Sequence, residues 1–325
     1  MSRYPKSDLS NVRLLSIEQR SSKVTRDDLG RPFEPGEEFA SFLDTLPDIL
    51  AARDLRRLAG NWVAGRKKGK PAILMMGGHV VKVGLVPLVC DLLQRGLLTG
   101  VAMNSAAAIH DVESALFGET SEDVAAALTD GSFGMAKETG EFINGALVHA
   151  YESDDPEIGF GEAIGEHLLA EEGGENSIIG TCVRLNLPVT VHVAIGADIV
   201  HQQPSMRGDA TGELSFRDFR LLCEELRYLG SGGVVLNFGS AVVLPEVFLK
   251  ALTVARNLGA DVFNFTTANF DMIRHYRPRM NVVTRPTQDG GEGFDFAGHH
   301  EIMFPLLAAM VKVGGASGEV DGERK

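Results

Sequence analysis

The chain has little of what staples, anchors or metallates a protein. Among its 325 residues are three cysteines, one tryptophan and four tyrosines. Cys90, Cys182 and Cys223 are odd in number, far apart and without C-x-x-C spacing, so neither a disulfide framework nor a zinc knuckle is expected. A reducing, cytoplasmic setting fits that usage. The opening MSRYPKSDLS has no apolar h-region and no long uncharged apolar run follows, which argues against export and against a membrane partner. Positive charge is scarce too: 31 Lys and Arg against 44 Asp and Glu leave a net charge of -13. The one basic cluster, Arg66-Lys67-Lys68-Gly69-Lys70, reads as a solvated linker, so no nucleic-acid partner is expected. An acidic surface suits a cationic one. Three signatures are also missing: G-x-G-x-x-G of ordinary dehydrogenases, H-E-x-x-H of zinc hydrolases, and the G-x-S-x-G nucleophile elbow.

What is present begins as an N-terminal arm with helices over residues 1–70, including an amphipathic run from Phe39 to Trp62. From residue 71 the texture changes to short Val- and Ile-rich runs alternating with amphipathic helices. Strands are expected at 72–76, 100–104, 189–195, 233–238 and 261–266; lacking polar alternation, they read as buried on both faces and parallel. The fold class is therefore α/β: a Rossmann-like, mostly parallel open sheet with helices on both faces. Pro87 starts a helix with a Leu85, Leu88, Val89, Leu92, Leu93 stripe that Gly96 stops. Thr120 with Asp123 reads as a capping box. One domain is expected over 71–313, with a helical excursion at 134–180 and a disordered tail over 314–325.

Candidate chemistry gathers at strand ends, where open α/β sheets bind ligands. Gly77-Gly78-His79 follows the first strand, and Asn104-Ser105-Ala106-Ala107 follows the second, its small side chains allowing a flat ligand near the backbone. In the helix after it, His110 and Glu113 share a face and Asp111 reads as lying in the first turn, where the helix dipole favours a carboxylate. Asn237-Phe238-Gly239-Ser240 has the same polarity. Asp198 and His201 sit beyond the third strand, whereas His192, alternating with apolar neighbours, reads as a core histidine. Thr266-Thr267-Ala268-Asn269-Phe270-Asp271 reads as the end of the last strand. A hydrolytic metal site built from His110, Asp111, His201, His299 and His300 is a further alternative, though no local ligand pair supports it and no metal is expected.

These residues resemble the deoxyhypusine synthase superfamily over about 71–275. Gly77 to Gly84 and Asn104 to Asp111 occupy the places of its T-S-N-L-x-S-S-G turn and its T-T-A-G-G-x-E-E-D strand end, Ala194 to Ile199 that of A-L-T-D-G-S, Gly239 to Val243 that of G-G-G-V-V, and Thr266 to Asp271 that of N-T-A-Q-E-F-D. The Asn104–Ser121 stretch, with His110-Asp111-Val112-Glu113 and Leu116-Phe117-Gly118-Glu119-Thr120-Ser121, is also similar to the ornithine cyclodeaminase domain of archaeal and cyanobacterial type. The resemblance implies NAD as cofactor, contacted by Gly77, Gly78, His79, Asn104, Ser105, Ala106, Ala107, Asp198, Gly239, Ser240, Thr267 and Ala268, with Asp111 near its ribose. It also implies a closed homo-oligomer, a tetramer. The synthase lysine of S-W-G-K-I has no counterpart, since 251–311 contains no lysine, so butylamine transfer to a protein lysine is not expected.

The leading expectation is an NAD-dependent enzyme that oxidises a C–N bond of a small cationic amine to an imine. His110 or His201 would be the base, and Asp111 or Glu113 would orient the ammonium or the ribose. The rival is a catalytically silent nucleotide- or polyamine-binding regulatory module, and the second alternative a metal-dependent hydrolase.

Overall fold

A computed structural model describes residues 3–153 and 155–316. They divide into two compact units, one ending at Arg53 and one starting at Asp54. In the first, short turns at Ile17–Gln19 and Arg26–Asp28 precede helix α1, Phe39–Thr45, whose Phe42 lies edge-on to Phe33 with ring centres 5.7 Å apart. The amphipathic run is cut here: Pro47 drives Leu46 into extended backbone and ends α1, and helix α2 runs Leu50–Lys67.

The second unit strings β1 (Ala72–Met76), α3 (His79–Lys82), α4 (Val86–Gln94), β2 (Gly100–Asn104), α5 (Ser105–Phe117) and α6 (Val124–Asp130). Helices α7 (Lys137–Glu152), α8 (Phe160–Leu169) and α9 (Ile178–Arg184) then lead into β3 (Val189–His192) and α10 (Gly208–Leu226). The chain finishes with β4 (Val234–Phe238), α11 (Val243–Asn257), β5 (Thr266–Asp271), α12 (Tyr276–Pro278), β6 (Glu292–Ala297) and α13 (His300–Ala316). All six strands pair in parallel in the order β3-β2-β1-β4-β5-β6. This is the doubly wound α/β sheet expected from the sequence, and its direction of winding reverses between β1 and β4, where such folds open a ligand crevice. Among the described residues no helix is long and apolar enough to cross a membrane.

The strand assignments need three corrections. β3 stops at His192 rather than residue 195. The strand expected at 261–266 lies at Thr266–Asp271 instead: Val262 and Phe265 are apolar because they pack into the core ahead of it, and the strand itself is polar on one face. A sixth strand, β6, was not expected at all. As an edge strand it alternates, with Phe294 and Phe296 buried and Asp295 half-buried, and so lacks the continuous apolar run of its neighbours.

Period-2 geometry gives this half of the sheet two unlike faces. Phe238, Phe270 and Phe296 lie in register and stack at 4.2 and 4.7 Å under Phe304 of α13. On the other face Asn237 donates to Asn269 and Asn269 to Asp295, both at 2.8 Å, beside a core of Ile73, Met75, Val235, Leu244 and Phe248. On α2, Trp62 is fully buried and donates its indole N–H to the Leu97 carbonyl at 2.7 Å. His192 is a core residue, sharing a hydrogen with Thr190 at 2.9 Å, and burial pushes its imidazole down to about 3.

Two buried carboxylates fasten the α7–α9 layer. Asp111 of α5 accepts from the Ile178 and Ile179 N–H groups at the start of α9, both at 2.9 Å. Asp218 of α10 accepts from Gly161 in the first turn of α8 at 2.9 Å and from Val191 in β3 at 2.6 Å. Each meets orphan donors of a helix end. At the C-terminus, Gly314 to Ala316 belong to α13 rather than to a disordered tail, and the rest of the expected tail lies outside the described residues.

Burial, opposed by those backbone donors, raises Asp111 to about 6 and Asp218 to about 8. Unfolded, each titrates near ~3.9, so folding takes up protons between that value and the folded one. Their contribution to stability is full below about pH 4 and is lost as pH rises through 6 and 8. Below about 6.5 the depressed imidazoles of His192 and His300 act the other way, so stability in urea should increase as pH is lowered from 8 towards about 6.5, and Asp218→Asn should flatten that slope; an unchanged slope in the variant would show that Asp218 is not its source.

Candidate functional site

Seen from the carboxyl edge, the first turn is built for close packing. A Cβ on Gly77 would collide with the Gly239 carbonyl oxygen, one on Gly78 would stand 2.9 Å from His110 Cδ2, and one on Gly239 would stand 2.7 Å from His300 Cε1. These glycines bring the ends of β1 and β4 and the start of α5 together, so their smallness serves the protein's own contacts first. His300 is buried, its Nε2 lies 3.2 Å from the Phe270 carbonyl oxygen, and its ring stands 5.5 Å from that of half-buried His79. Nδ1 of His300 is buried with no partner among the described residues.

Beside this mouth, a cavity of about 700 Å³ opens between α5, the turn after it, α7 and the loop after β3. Asn104 caps α5 by accepting from Ala107 N–H at 2.9 Å. Ser105 donates to Asp198, which brings a carboxylate from beyond β3 to the end of β2. His201 steadies that loop, accepting at Nδ1 from the Gly196 and Asp198 N–H groups at 3.2 and 3.3 Å. Burial raises the Asp198 carboxyl despite Ser105 and His201.

The wall includes Ala106, His110 and Glu113 from α5, with Asp198 facing them. Asp111 is on the opposite side of the same helix, capping α9, and Ala107 is buried beneath. The strand shift places Thr267 and Ala268 inside β5 with no exposure, away from the rim where the sequence had put them. Ser240 is used as a cap, accepting from Leu244 N–H at 3.2 Å. Among the described residues no three histidine, cysteine or acidic side chains converge as metal ligands. His300 lies under the β4–β5 end, exposed His299 pairs with its neighbour Glu301, and His201 with Asp198.

Sequence reasoning missed several wall residues. Thr120 caps nothing: the helix cap is Asp123, accepting from Ala126 N–H, while Thr120 bonds His110 and Glu113. Thr139 reaches Glu113 from α7 at 3.0 Å. Glu119, Glu122 and Glu138 add three more carboxylates, and Lys82 is the lining cation. Burial pushes Glu113 up, but the His110 ring 3.8 Å away and the bonds from Thr120 and Thr139 outweigh it and hold the carboxyl below its usual range. A second basic run, Arg274-His275-Tyr276-Arg277-Pro278-Arg279, stands just past β5, with Arg274 facing Asp295 at 3.6 Å and Arg277 facing Glu246 at 3.3 Å.

No protein-family model matches this chain, and no curated protein matches it in sequence. Its fold does have counterparts among solved structures. A protein assigned to the LOR/SDH type from Methanococcus maripaludis S2 superposes with TM-score 0.50 at 16% identity, covering 80% of this chain and 69% of that one. AgrE in ternary complex with ornithine and NAD+ gives 0.52 at 13%, covering 84% of this chain and 35% of AgrE, and unliganded AgrE gives 0.51 at 14% over 83% and 34%. The chain thus spans about two thirds of the first and about a third of AgrE. A protein assigned as a deoxyhypusine synthase from Entamoeba histolytica aligns over 87% of this chain and 96% of its own at TM-score 0.49 and 11% identity. At such identities the likeness is one of fold alone.

The packing at the mouth has a direct test. Gly77→Ala should cost about 2–4 kcal/mol, because backbone rather than a flexible side chain stands in the way. Gly145→Ala, in the open middle of α7, should be neutral or stabilise by about 0.5–1 kcal/mol. Equal midpoints for the two variants in urea would contradict the close approach.

Proposed function

We propose that this chain is an NAD-dependent enzyme that oxidises a carbon–nitrogen bond of a small cationic amine, a polyamine or basic amino acid, to an imine that is then transferred, cyclised or hydrolysed. The observation that carries the reading is a single cavity wall holding Glu113, Glu119, Glu122, Glu138 and Asp198 against one lysine, with the His110 imidazole among them. Such a wall attracts ammonium groups and repels anions.

The residues present fit a dinucleotide along the neighbouring rim. His300 Nδ1 is a buried acceptor without a partner among the described residues, Lys82 is a cation for phosphate oxygens, and Asp198, held by Ser105, is an acceptor for ribose hydroxyls. When bound, NAD supplies the electron sink for the hydride leaving the carbon next to nitrogen. The chain's own groups do the rest. The carboxylates hold the ammonium, and His110 takes a proton from it, freeing the nitrogen lone pair. Asp111 orients α5 and touches neither ligand. The same proposal includes one NAD-binding-like domain over 71–313, assembly as a closed homo-oligomer and a cytoplasmic setting.

Calorimetry with NAD, followed by reduced-nicotinamide absorbance on adding ornithine, agmatine, putrescine or spermidine, tests the reading. NAD binding and absorbance growth with one of these amines are expected, and His110→Gln should lower turnover by roughly 10²–10⁴-fold with NAD affinity nearly intact. Binding of NAD with a silent panel would point to the regulatory module instead, and no heat with NAD would remove the proposal.

A further inference from the structure

Four side chains from three segments are joined on the cavity wall. Thr120, in the turn after α5, sets Oγ1 2.7 Å from His110 Nδ1 and donates its hydroxyl hydrogen to Glu113 Oε2. The second oxygen of Glu113 accepts from Thr139 Oγ1 at 3.0 Å. A carboxylate can only accept, and a hydroxyl has one hydrogen. With that hydrogen committed to Glu113, Thr120 meets His110 with its lone pairs, and the ring must bring the hydrogen. Burial alone would favour a protonated, donating Glu113, but the bonds from Thr120 and Thr139, with the His110 ring 3.8 Å away, keep it ionised. Nε2 of His110 has no partner among the described residues.

We propose that Thr120, aligned by Glu113 and Thr139, is a positioning residue that fixes His110 as the Nδ1–H tautomer and so leaves Nε2 as the proton acceptor of the cavity. The order of bonds is directional: Thr139 and Thr120 donate to Glu113, and His110 donates to Thr120. Thr120 thereby does through a hydroxyl what a carboxylate bonded to Nδ1 does in a His–carboxylate pair. The turn at Gly118, in left-handed backbone at φ 74°, ends α5 and brings Thr120 back over the helix.

The inference rests on His110 being the base of the proposed reaction, yet the tautomer belongs to the free protein and is read without NAD or amine. Long-range proton–nitrogen correlation spectra of 15N-labelled protein, at a pH where the ring is neutral and with His110→Gln for assignment, report which nitrogen carries hydrogen. The wild type should show Nδ1–H. Thr120→Ser should keep it, and Thr120→Val, which has the shape without the hydroxyl, should bring both nitrogens towards the averaged position of an unbiased ring. Glu113→Gln supplies a second probe: its amide can donate to Thr120, turning the hydroxyl towards His110 and shifting the hydrogen to Nε2. An Nε2–H ring in the wild type, or spectra unchanged in both Thr120→Val and Glu113→Gln, would overturn the proposal. Lost amine oxidation with the tautomer intact would count against the proposed function alone.

Discussion

The rotation of α5 about its own axis is set by one buried carboxylate. Asp111 has no exposure and holds two N–H groups of α9. A helix turns about 100° per residue, so fixing Asp111 inward fixes His110 and Glu113, which are three apart, on the outward side. Leaving the two donors without an acceptor costs about 1–3 kcal/mol each. A slip of α5 by one residue would incur that cost and also withdraw His110 from the cavity. The residue the sequence offers as a ligand for ribose is thus the one that aims its neighbours, and the carboxylate at the β2 end arrives from beyond β3 as Asp198.

The glycines act on the same geometry from the other side. Gly78 lets α5 lie against the end of β1, with Ala106 backbone and the His110 ring filling the place of a side chain. Asp111 therefore sets how α5 is turned, and Gly78 how close it comes. Small residues at strand ends read from sequence as room for a ligand. Here most of that room is taken by protein, and the open volume lies one step further along, where Ala106 rather than Gly77 forms the wall.

The α/β class, the parallel pairing and four of the strand positions were legible because strands buried on both faces must be apolar throughout. β5 and β6 were not, because their carboxyl halves carry an amide and carboxylate row on one face and phenylalanines on the other. That alternation makes sense only once Asn237, Asn269 and Asp295 are known to be in register. The site divides similarly. Helical spacing put His110 and Glu113 together, but Ser105 meets Asp198 across 93 positions and Thr139 meets Glu113 across 26. Thr120 was visible and misread, since a threonine three residues ahead of an acid looks the same whether its hydroxyl caps a helix or serves a histidine.

Charge gives the rim a direction. Five carboxylates around one cavity would repel a pyrophosphate placed among them, and at 4 Å a like-charged pair costs about 4 kcal/mol at an effective dielectric of ~20. The two demands of the proposed chemistry, an ammonium and a pyrophosphate, are met only if they lie apart along the carboxyl edge, with the nicotinamide ring reaching from one to the other. The ammonium then belongs among the glutamates of the cavity, Glu113, Glu119, Glu122 and Glu138, which leaves Asp198 to the ribose between the two. The phosphates belong towards the β1–β4 mouth, with Lys82 at the boundary and the arginines past β5 beyond it. In a chain of net charge -13 that separation is itself a constraint. Moving a single carboxylate from the cavity to the mouth would set it against the phosphates of the proposed dinucleotide.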